Sequence, residues 1–183
     1  MKKVLIPLAQ GCEELEAVTI MDLLTRAGIE VVSAGLDDLP VKCSRNTVII
    51  PDTTIEKIIN DSFDLIVLPG GLPGADHLRD DERIIQLIQK QAELNKPVAA
   101  ICAAPIVLAK AGLLENKKAT SFPNVLSELN LANTTITNTT IETDGNIITS
   151  RGPGTAMDFS LYLIGHLLGE DVKEKIAKQL VRD

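Results

Sequence analysis

The 183-residue sequence is poor in aromatic side chains, and this shortage limits how its core can be built. Aromatic residues make up 2% of the chain and tryptophan is absent, whereas apolar residues make up 45%. The core must therefore consist of Ile, Leu, Val and Ala, a composition typical of buried parallel strands covered by helices. Since about 100–200 residues is usual for one domain and no shift in composition divides the chain, we expect a single domain over residues 1–183.

Histidine and cysteine are also scarce, and their spacing does not predict a metal site. The chain has two histidines and three cysteines, Cys12, Cys43 and Cys102, without a CxxC pair or a Cys/His pair at ligand spacing. An odd, sparse cysteine count without a recognisable signal peptide predicts free thiols in a reducing compartment. We therefore expect a cytoplasmic protein that needs no metal and no cofactor.

Positive charge is neither abundant nor clustered. Eighteen basic residues against 25 acidic ones give a formal net charge of −7, and no cluster of Lys or Arg is suited to following a phosphate backbone. Specific binding to nucleic acid is therefore not expected. The first apolar run, residues 4–9, is too short for a signal sequence, and no later run approaches the length of a membrane span, so no membrane association is expected.

What the chain does contain is a regular alternation of short β-like runs and longer helical ones. The pattern predicts strands at 3–8, 29–34, 63–68 and 98–101, with helices at 13–27 and 80–95 and a helix that starts at 105. Further segments are a hairpin at 43–50, a strand at 118–121, paired strands within 134–150, and helices at 156–168 and 172–180. This alternation predicts an α/β fold with a mostly parallel central sheet.

Three predicted loops carry the candidate chemistry, because ligands of parallel α/β sheets bind beyond the carboxyl ends of the strands. The loops are residues 10–16, 69–74 and 100–105. In the third, Cys102 ends a strand and precedes two alanines and Pro105, a strand-to-helix turn suited to presenting a nucleophile. The positive end of the following helix is expected to favour the thiolate. From the local sequence alone, a buried structural cysteine is an equally good interpretation.

The first loop leads into a helix that opens with acidic residues. Extending the apolar stripe of this helix backwards reaches Glu16 and Glu13 and leaves out Glu14. A carboxyl group on a buried face resists ionisation and is suited to moving protons near neutral pH, while acids in a first turn are otherwise ordinary surface residues. Periodicity does not choose between Glu13 and Glu16.

The middle loop contains the pair Gly70-Gly71, which has two interpretations. Paired glycines after a strand are often an ordinary turn. Alternatively, the N–H groups of Gly71 and Ala103 form an oxyanion hole beside Cys102.

Five ordered motifs resemble those of the ThiJ/PfpI superfamily, and in particular the branch of the parkinsonism-associated deglycase and its bacterial ThiJ-like relatives. They are GCEELE at 11–16, CSR at 43–45, VLPGG at 67–71, AICAAP at 100–105 and TSRGPGT at 149–155. The resemblance extends over essentially the whole chain. It implies a flavodoxin-like three-layer sandwich that forms a homodimer and works without a cofactor.

The resemblance also implies roles for individual residues. It implies that Cys102 is the nucleophile, that Glu16 rather than Glu13 is the acid hydrogen-bonded to it, and that Gly71 and Ala103 line the site. It further places Arg26, Arg45 and Arg151 near the site or the dimer contact. Of these, Arg45 and Arg151 are the candidates for binding substrate.

The chain departs from the family pattern at one position. Human-type members have a His-Pro pair near the cysteine, whereas this chain has Phe122-Pro123. Its own histidines, His77 and His166, fall on predicted helices and do not match the family's site histidine. A Cys-His dyad is therefore not expected.

These residues support an enzyme that acts on α-oxoaldehydes such as methylglyoxal and glyoxal, or on their protein and nucleotide adducts, as a glyoxalase or deglycase. The Cys102 thiolate would add to the aldehyde while Glu16 moves protons. An alternative with the same residues is a stress-response sensor or chaperone regulated by oxidation of Cys102. A cysteine protease or amidase is a weaker alternative, because the local pattern supplies no activating base.

Two further expectations concern contacts. Cys12 and Cys102 are predicted in neighbouring loops, where Cys12 is a candidate to resolve a Cys102 sulfenate, although a small loop-filling residue is the simpler interpretation. The first helix has a second apolar face, Leu15, Val18 and Met21, which favours a homodimer.

Overall fold

The computed structural model describes residues 1–182, so only Asp183 of the domain expected over 1–183 lies outside the described residues. The strands are β1 (Lys3–Leu8), β2 (Glu30–Gly35), β3 (Val41–Lys42), β4 (Val48–Ile49), β5 (Thr53–Thr54), β6 (Leu65–Leu68), β7 (Val98–Ile101), β8 (Lys118–Ala119), β9 (Thr135–Ile136), β10 (Ile141–Asp144) and β11 (Ile147–Ser150). The helices are α1 (Glu14–Arg26), α2 (Ile55–Ile58), α3 (Gly74–Asp80), α4 (Glu82–Glu93), α5 (Pro105–Lys110), α6 (Ala156–Leu168) and α7 (Glu170–Gln179).

A seven-stranded sheet forms the middle layer, in the order β10-β11-β7-β6-β1-β2-β5. All neighbouring pairs are parallel except β10 and β11, which form an antiparallel hairpin at one edge. Helices α1, α6 and α7 pack with one another, and so do α3, α4 and α5, to form the layers that flank the sheet. The predicted α/β fold with a mostly parallel central sheet is confirmed.

The core lies on both faces of the central strands and is aliphatic, as the composition predicts. Every residue of β6 and β7 is buried, because helices cover both faces of these strands. Strand β1 lies between β6 and β2, so the loops that follow β1, β6 and β7 emerge at one edge of the sheet. The three loops singled out in the sequence are therefore neighbours.

Two segments differ from the sequence-based expectation. The helix predicted over 80–95 corresponds to α4, which begins at Glu82 because Asp81 has an extended backbone and its carboxylate caps the helix by accepting the N–H of Arg83 at 2.9 Å. Helix α3, which ends at Asp80, was not predicted. The paired strands predicted within 134–150 are correct only for the β10–β11 hairpin. Strand β9 instead pairs in parallel with β8.

Within residues 1–182, no helix combines the length and the apolar character needed to cross a membrane.

Candidate active site

Cys102 follows β7 in a backbone conformation that few non-glycine residues adopt, with φ of 63°. Its N–H donates to the carbonyl of Ser150 at 3.0 Å, and its carbonyl accepts the N–H of Phe122 at 2.8 Å. These two bonds hold a left-handed turn that costs about 1–2 kcal/mol for a residue with a Cβ. Helix α5 then begins with Pro105. The predicted sharp strand-to-helix turn at Cys102 is therefore present.

The turn presents Cys102 to a cavity of about 260 Å³. Only 8% of the cysteine surface is accessible, so the thiol lies at the base of the cavity and is not on the open surface. The lining combines apolar groups with one acidic and one basic side chain, and its residues are Glu13, Ser44, Arg45, Gly71, Leu72, Cys102, Ala103, Phe122 and Pro153.

Glu16 lies in the first turn of α1 and is fully buried. Its Oε2 accepts the N–H of Gly70 at 2.8 Å, and its carboxyl group contacts the Cys102 thiol within hydrogen-bonding range. The contact to sulfur is looser than a well-aligned hydrogen bond, since Oε1 has no such partner among residues 1–182. One carboxyl oxygen is thus fixed by the backbone, and the other is free to hold or release a proton.

Burial and charge set the protonation of this pair. Burial raises the pKa of Glu16 to about 7, against smaller lowering contributions from the bonds to Gly70 and Cys102. Burial and the negative charge of Glu16 raise the pKa of Cys102 to about 12, although the N–H groups of Gly71 and Ala103 lower it. The Ala103 N–H at the helix end lowers the pKa of Cys102, as expected, but burial and the charge of Glu16 outweigh this effect. At neutral pH the thiol keeps its proton, and Glu16 is balanced between its two forms.

The glycine pair lies where any side chain would collide with this site. A Cβ on Gly70 would lie 2.7 Å from the Cβ of Cys102 and 2.8 Å from Oε2 of Glu16. Gly71 has φ of 90°, and its Cβ would collide with the backbone of Cys12 and Glu13. Without side chains, the two glycines let the backbone approach the sulfur, and the N–H groups of Gly71 and Ala103 lie close enough to lower the pKa of the Cys102 thiol.

The β3–β4 hairpin supplies the polar wall of the cavity. Ser44 Oγ donates to the carboxylate of Glu13 at 2.8 Å. The Glu14 carboxylate accepts the N–H groups of Arg45 at 3.0 Å and of Thr47 at 3.3 Å, and so fixes the turn that carries Arg45. Helical periodicity correctly left Glu14 off the buried stripe, but it gave no signal for this role, because the partners lie more than 30 residues away in the chain.

Phe122 forms a side wall of the cavity, although the sequence marked this position only as the replacement of a family histidine. Its N–H is bonded to the carbonyl of Cys102, and a Cβ on Gly152 would lie 3.3 Å from its ring. The ring borders the Cys102 cavity on one side and a polar cavity of about 330 Å³ on another. Phe122 therefore separates two spaces.

The other candidate arginines lie away from this lining. Arg151 donates to the carbonyl of Asn138 at 2.9 Å and borders a neighbouring cavity beside Phe122. Arg26 pairs with Asp22 at 2.7 Å near the end of α1. Of the three arginines, Arg45 is the one that lines the Cys102 cavity.

Both histidines lie on helices, as expected, although α3, which carries His77, precedes the helix predicted over 80–95. His77 on α3 bonds the carbonyl of Gln10 at 3.0 Å through Nδ1, and His166 on α6 stacks against Tyr162. Neither belongs to the lining of the Cys102 cavity. Within residues 1–182, no group of three or more His, Cys, Asp or Glu side chains is arranged to hold a metal ion.

Cys12 contacts Cys43, not Cys102. The two sulfur atoms are 3.5 Å apart, and both side chains are buried. The loops that contain Cys12 and Cys102 are neighbours, as expected, but the partner suggested for Cys12 is corrected, because the β3–β4 hairpin places Cys43 beside it.

Comparisons with known proteins agree with this architecture. Residues 2–166 match the model of the DJ-1/PfpI family. The chain is 42% identical to protein dj-1beta of Drosophila melanogaster over 98% of this chain and 97% of the relative. It is 32% identical to glutathione-independent glyoxalase DJR-1.2 of Caenorhabditis elegans over 97% of this chain and 94% of the relative. The crystal structure of Drosophila melanogaster DJ-1beta superposes with a TM-score of 0.95 at 41% identity, covering 100% of this chain and 98% of that one. From its motifs, its sheet and these matches, the chain belongs to the DJ-1/PfpI family.

Proposed function

We propose that this protein is a glyoxalase-type enzyme that converts α-oxoaldehydes such as methylglyoxal and glyoxal to hydroxy acids. The observation that carries the proposal is the contact between the Cys102 thiol and a buried carboxyl group whose pKa is about 7. A carboxylate with this pKa is matched to taking up and returning protons near neutral pH. The C. elegans relative named as a glyoxalase supports the reaction class.

The first step is addition of sulfur to the aldehyde carbon. As the C–S bond forms, the thiol proton passes to Glu16, so a free thiolate does not have to accumulate in the resting site. The aldehyde oxygen gains negative charge and takes hydrogen bonds from the N–H groups of Gly71 and Ala103, which lie close enough to the sulfur to lower the pKa of Cys102. Glu16 then gives this proton to the oxygen, which yields a hemithioacetal and restores the carboxylate.

The remaining steps move one carbon-bound proton and one hydroxyl proton and add one water. Glu16 takes the proton from the hemithioacetal carbon, and a proton returns to the adjacent carbonyl carbon through an enediol, leaving a 2-hydroxy thioester on Cys102. Water then attacks the thioester, the C–S bond breaks, and the hydroxy acid leaves with the thiol restored. For methylglyoxal the sum is substrate plus water giving lactate.

The shape of the cavity limits the substrate. A volume of about 260 Å³, closed by Leu72, Phe122 and Pro153, suits a small dicarbonyl compound. The deglycase substrates are adducts of such aldehydes with protein or nucleotide groups. The protein or nucleotide part of an adduct would have to remain outside the cavity mouth. We therefore propose the free aldehyde as the primary substrate and the adducts as a secondary class.

The test is steady-state turnover of methylglyoxal, measured as lactate formation, by wild type, Cys102→Ser and Cys12→Ala. Cys102→Ser should retain the fold but keep no more than a few per cent of wild-type turnover, because serine cannot match the nucleophilicity of sulfur. Cys12→Ala should stay near wild type, since Cys12 does not line the cavity. A wild type without turnover, or a Cys102→Ser variant that retains it, would contradict the proposal. Peptide hydrolysis assayed in parallel tests the protease alternative.

A second candidate function is a sensor regulated by oxidation of Cys102. The observation that favours it is Oε1 of Glu16, which is buried without a well-aligned partner among residues 1–182 and can bond a sulfinic oxygen. A protein that lacks turnover but forms a stable Cys102 sulfinate under mild peroxide would support this function over the enzyme.

A further inference from the structure

We propose that Cys12 and Cys43 form a second reactive site, a buried dithiol that a hydroperoxide oxidises to an intramolecular disulfide independently of Cys102. This inference goes beyond the proposed enzyme activity and does not depend on it. Its basis is the direct contact of the two sulfur atoms at 3.5 Å. A disulfide bond is about 2.05 Å long, so closure needs an approach of about 1.5 Å.

The backbone already holds the two residues side by side. Ser44 donates its N–H to the carbonyl of Cys12 at 2.8 Å, and Gly11 donates its N–H to the carbonyl of Lys42 at 2.8 Å. The N–H of Cys43 closes its own hairpin turn by donating to the carbonyl of Thr47 at 2.8 Å. Because the two backbones are hydrogen-bonded to each other and the sulfur atoms are in contact, we expect rotation of the side chains to close the bond.

The environment also favours the bridged form over two separate thiols. Burial raises the pKa of both thiols, and Glu13 and Glu14 raise them further by their negative charge. A disulfide is uncharged and has no hydrogen to donate, so it is compatible with an apolar site next to negatively charged carboxylates. The same raised pKa values predict that the pair reacts more slowly than an exposed thiol.

The oxidation balances with one hydroperoxide. Cys43 reacts first, because 4% of it is accessible whereas Cys12 is fully buried. Its sulfur attacks a peroxide oxygen, the O–O bond breaks, and one water leaves as a sulfenic acid forms. The Cys12 sulfur then attacks the Cys43 sulfur, the S–O bond breaks, and a second water leaves. Two thiols and hydrogen peroxide thus give a disulfide and two waters.

The position of the bridge links it to the cavity beside it. Cys12 immediately precedes Glu13, and Cys43 immediately precedes Ser44 and Arg45. In the reduced protein, the segment with Glu13 and the segment with Ser44 and Arg45 are joined by the Ser44–Glu13 hydrogen bond and by backbone hydrogen bonds. A covalent bond there fixes the acidic wall relative to the basic one.

The experiment uses the full chain with Cys102→Ser, which removes the competing thiol. The protein is treated with hydrogen peroxide, blocked with iodoacetamide in denaturant and digested with trypsin without reductant. Cleavage after Lys3, Arg26, Lys42 and Arg45 separates Cys12, in peptide 4–26, from Cys43, in peptide 43–45. The expected result is a linked pair of these peptides that dithiothreitol separates, and an intact chain lighter by two hydrogen atoms before digestion.

The controls are Cys12→Ala and Cys43→Ala in the same background, each checked for folding by circular dichroism. Both should lose the linked peptide. The bridged Cys102→Ser protein should also melt at a higher temperature than its reduced form, because the cross-link restricts the unfolded chain. The proposal is overturned if both cysteines are alkylated, or are oxidised separately to sulfinates, at peroxide levels that fully oxidise Cys102 in wild type. A wild-type bridge between Cys12 and Cys102 would also overturn it.

Discussion

The carboxyl group of Glu16 contacts the thiol of Cys102, and each group changes the pKa of the other. The thiol lowers the pKa of Glu16 as a hydrogen-bonding partner, and the carboxylate raises the pKa of Cys102 through its charge. Both effects favour an ionised carboxylate beside a protonated thiol. This is the arrangement in which the proton moves at the moment when sulfur attacks, and it makes Glu16 the residue most sensitive to substitution after Cys102.

Glu16→Gln should lower methylglyoxal turnover by about 10²–10³-fold, within the usual contribution of a positioned acid or base. Glutamine can still accept the N–H of Gly70, so the fold should persist while proton transfer is lost. The matched control is Glu174→Gln, an exposed position on α7, which should leave turnover unchanged. A loss below tenfold for Glu16→Gln would show that another group moves the proton.

The pH dependence of kcat/KM should follow the ionisation of Glu16. Its pKa is raised to about 7, so the carboxylate that accepts the thiol proton becomes more abundant as pH rises through this value. We therefore expect kcat/KM to rise with pH across about 6–8 and then to level off. Residual activity of Glu16→Gln should lack this inflection. A wild-type profile that falls through pH 7 would identify the protonated form as the active one.

Phe122→Ala should widen the substrate range, because the ring separates the Cys102 cavity from the polar cavity next to it. We expect the ratio of kcat/KM for phenylglyoxal to that for methylglyoxal to rise about tenfold, the effect of gaining space for one apolar group. Phe122→Leu keeps more of the bulk and should show a smaller change.

The role of Phe122 in limiting access to Cys102 can also be tested without measuring turnover. The rate of Cys102 alkylation by a bulky aryl maleimide, relative to iodoacetamide, should rise in Phe122→Ala. If both reagents accelerate equally, Phe122 controls access in general and does not select by size.

The protein should form a homodimer through the exposed apolar face of α1. Leu15 and Val18 are 50% and 46% exposed although they lie on a helix that packs against α6 with its other side. Sedimentation at micromolar concentration should give a dimer, and Val18→Glu should shift it towards monomer. Leu94→Glu, at an exposed position beyond α4, is the control that should remain dimeric. A monomeric wild type would contradict the prediction.

Local sequence patterns predicted the elements that carry the site. Strands β1 and β7 have the predicted bounds, because each is a short apolar run ended by a turn signal. The strand-to-helix turn at Cys102 was visible in the small residues and the proline that follow. Periodicity narrowed the buried acid to Glu13 or Glu16, and in the structure Glu16 is fully buried while Glu13 lines the cavity.

The remaining features depend on contacts between distant segments, which one sequence does not encode locally. The Cys12–Cys43 contact joins residues 31 positions apart and requires the β3–β4 hairpin to fold over the loop after β1. The pKa of Cys102 depends first on the burial of its own thiol and then on the charge of Glu16, and neither is visible in the sequence around the helix end. The start of α4 after Asp81 did have a local signal, since Asp is a preferred helix cap, and the predicted start at residue 80 lies within two residues of it.

The left-handed backbone at Cys102 lowers the stability of the fold, but the side chain at this position supplies the reactive thiol. Glycine would adopt φ of 63° without strain, because it has no Cβ. A laboratory selection for heat-resistant variants of this chain would therefore favour replacement of Cys102 by glycine, which removes the reactive sulfur. Such a search has to be counter-screened for thiol reactivity, or its most durable products will be inert.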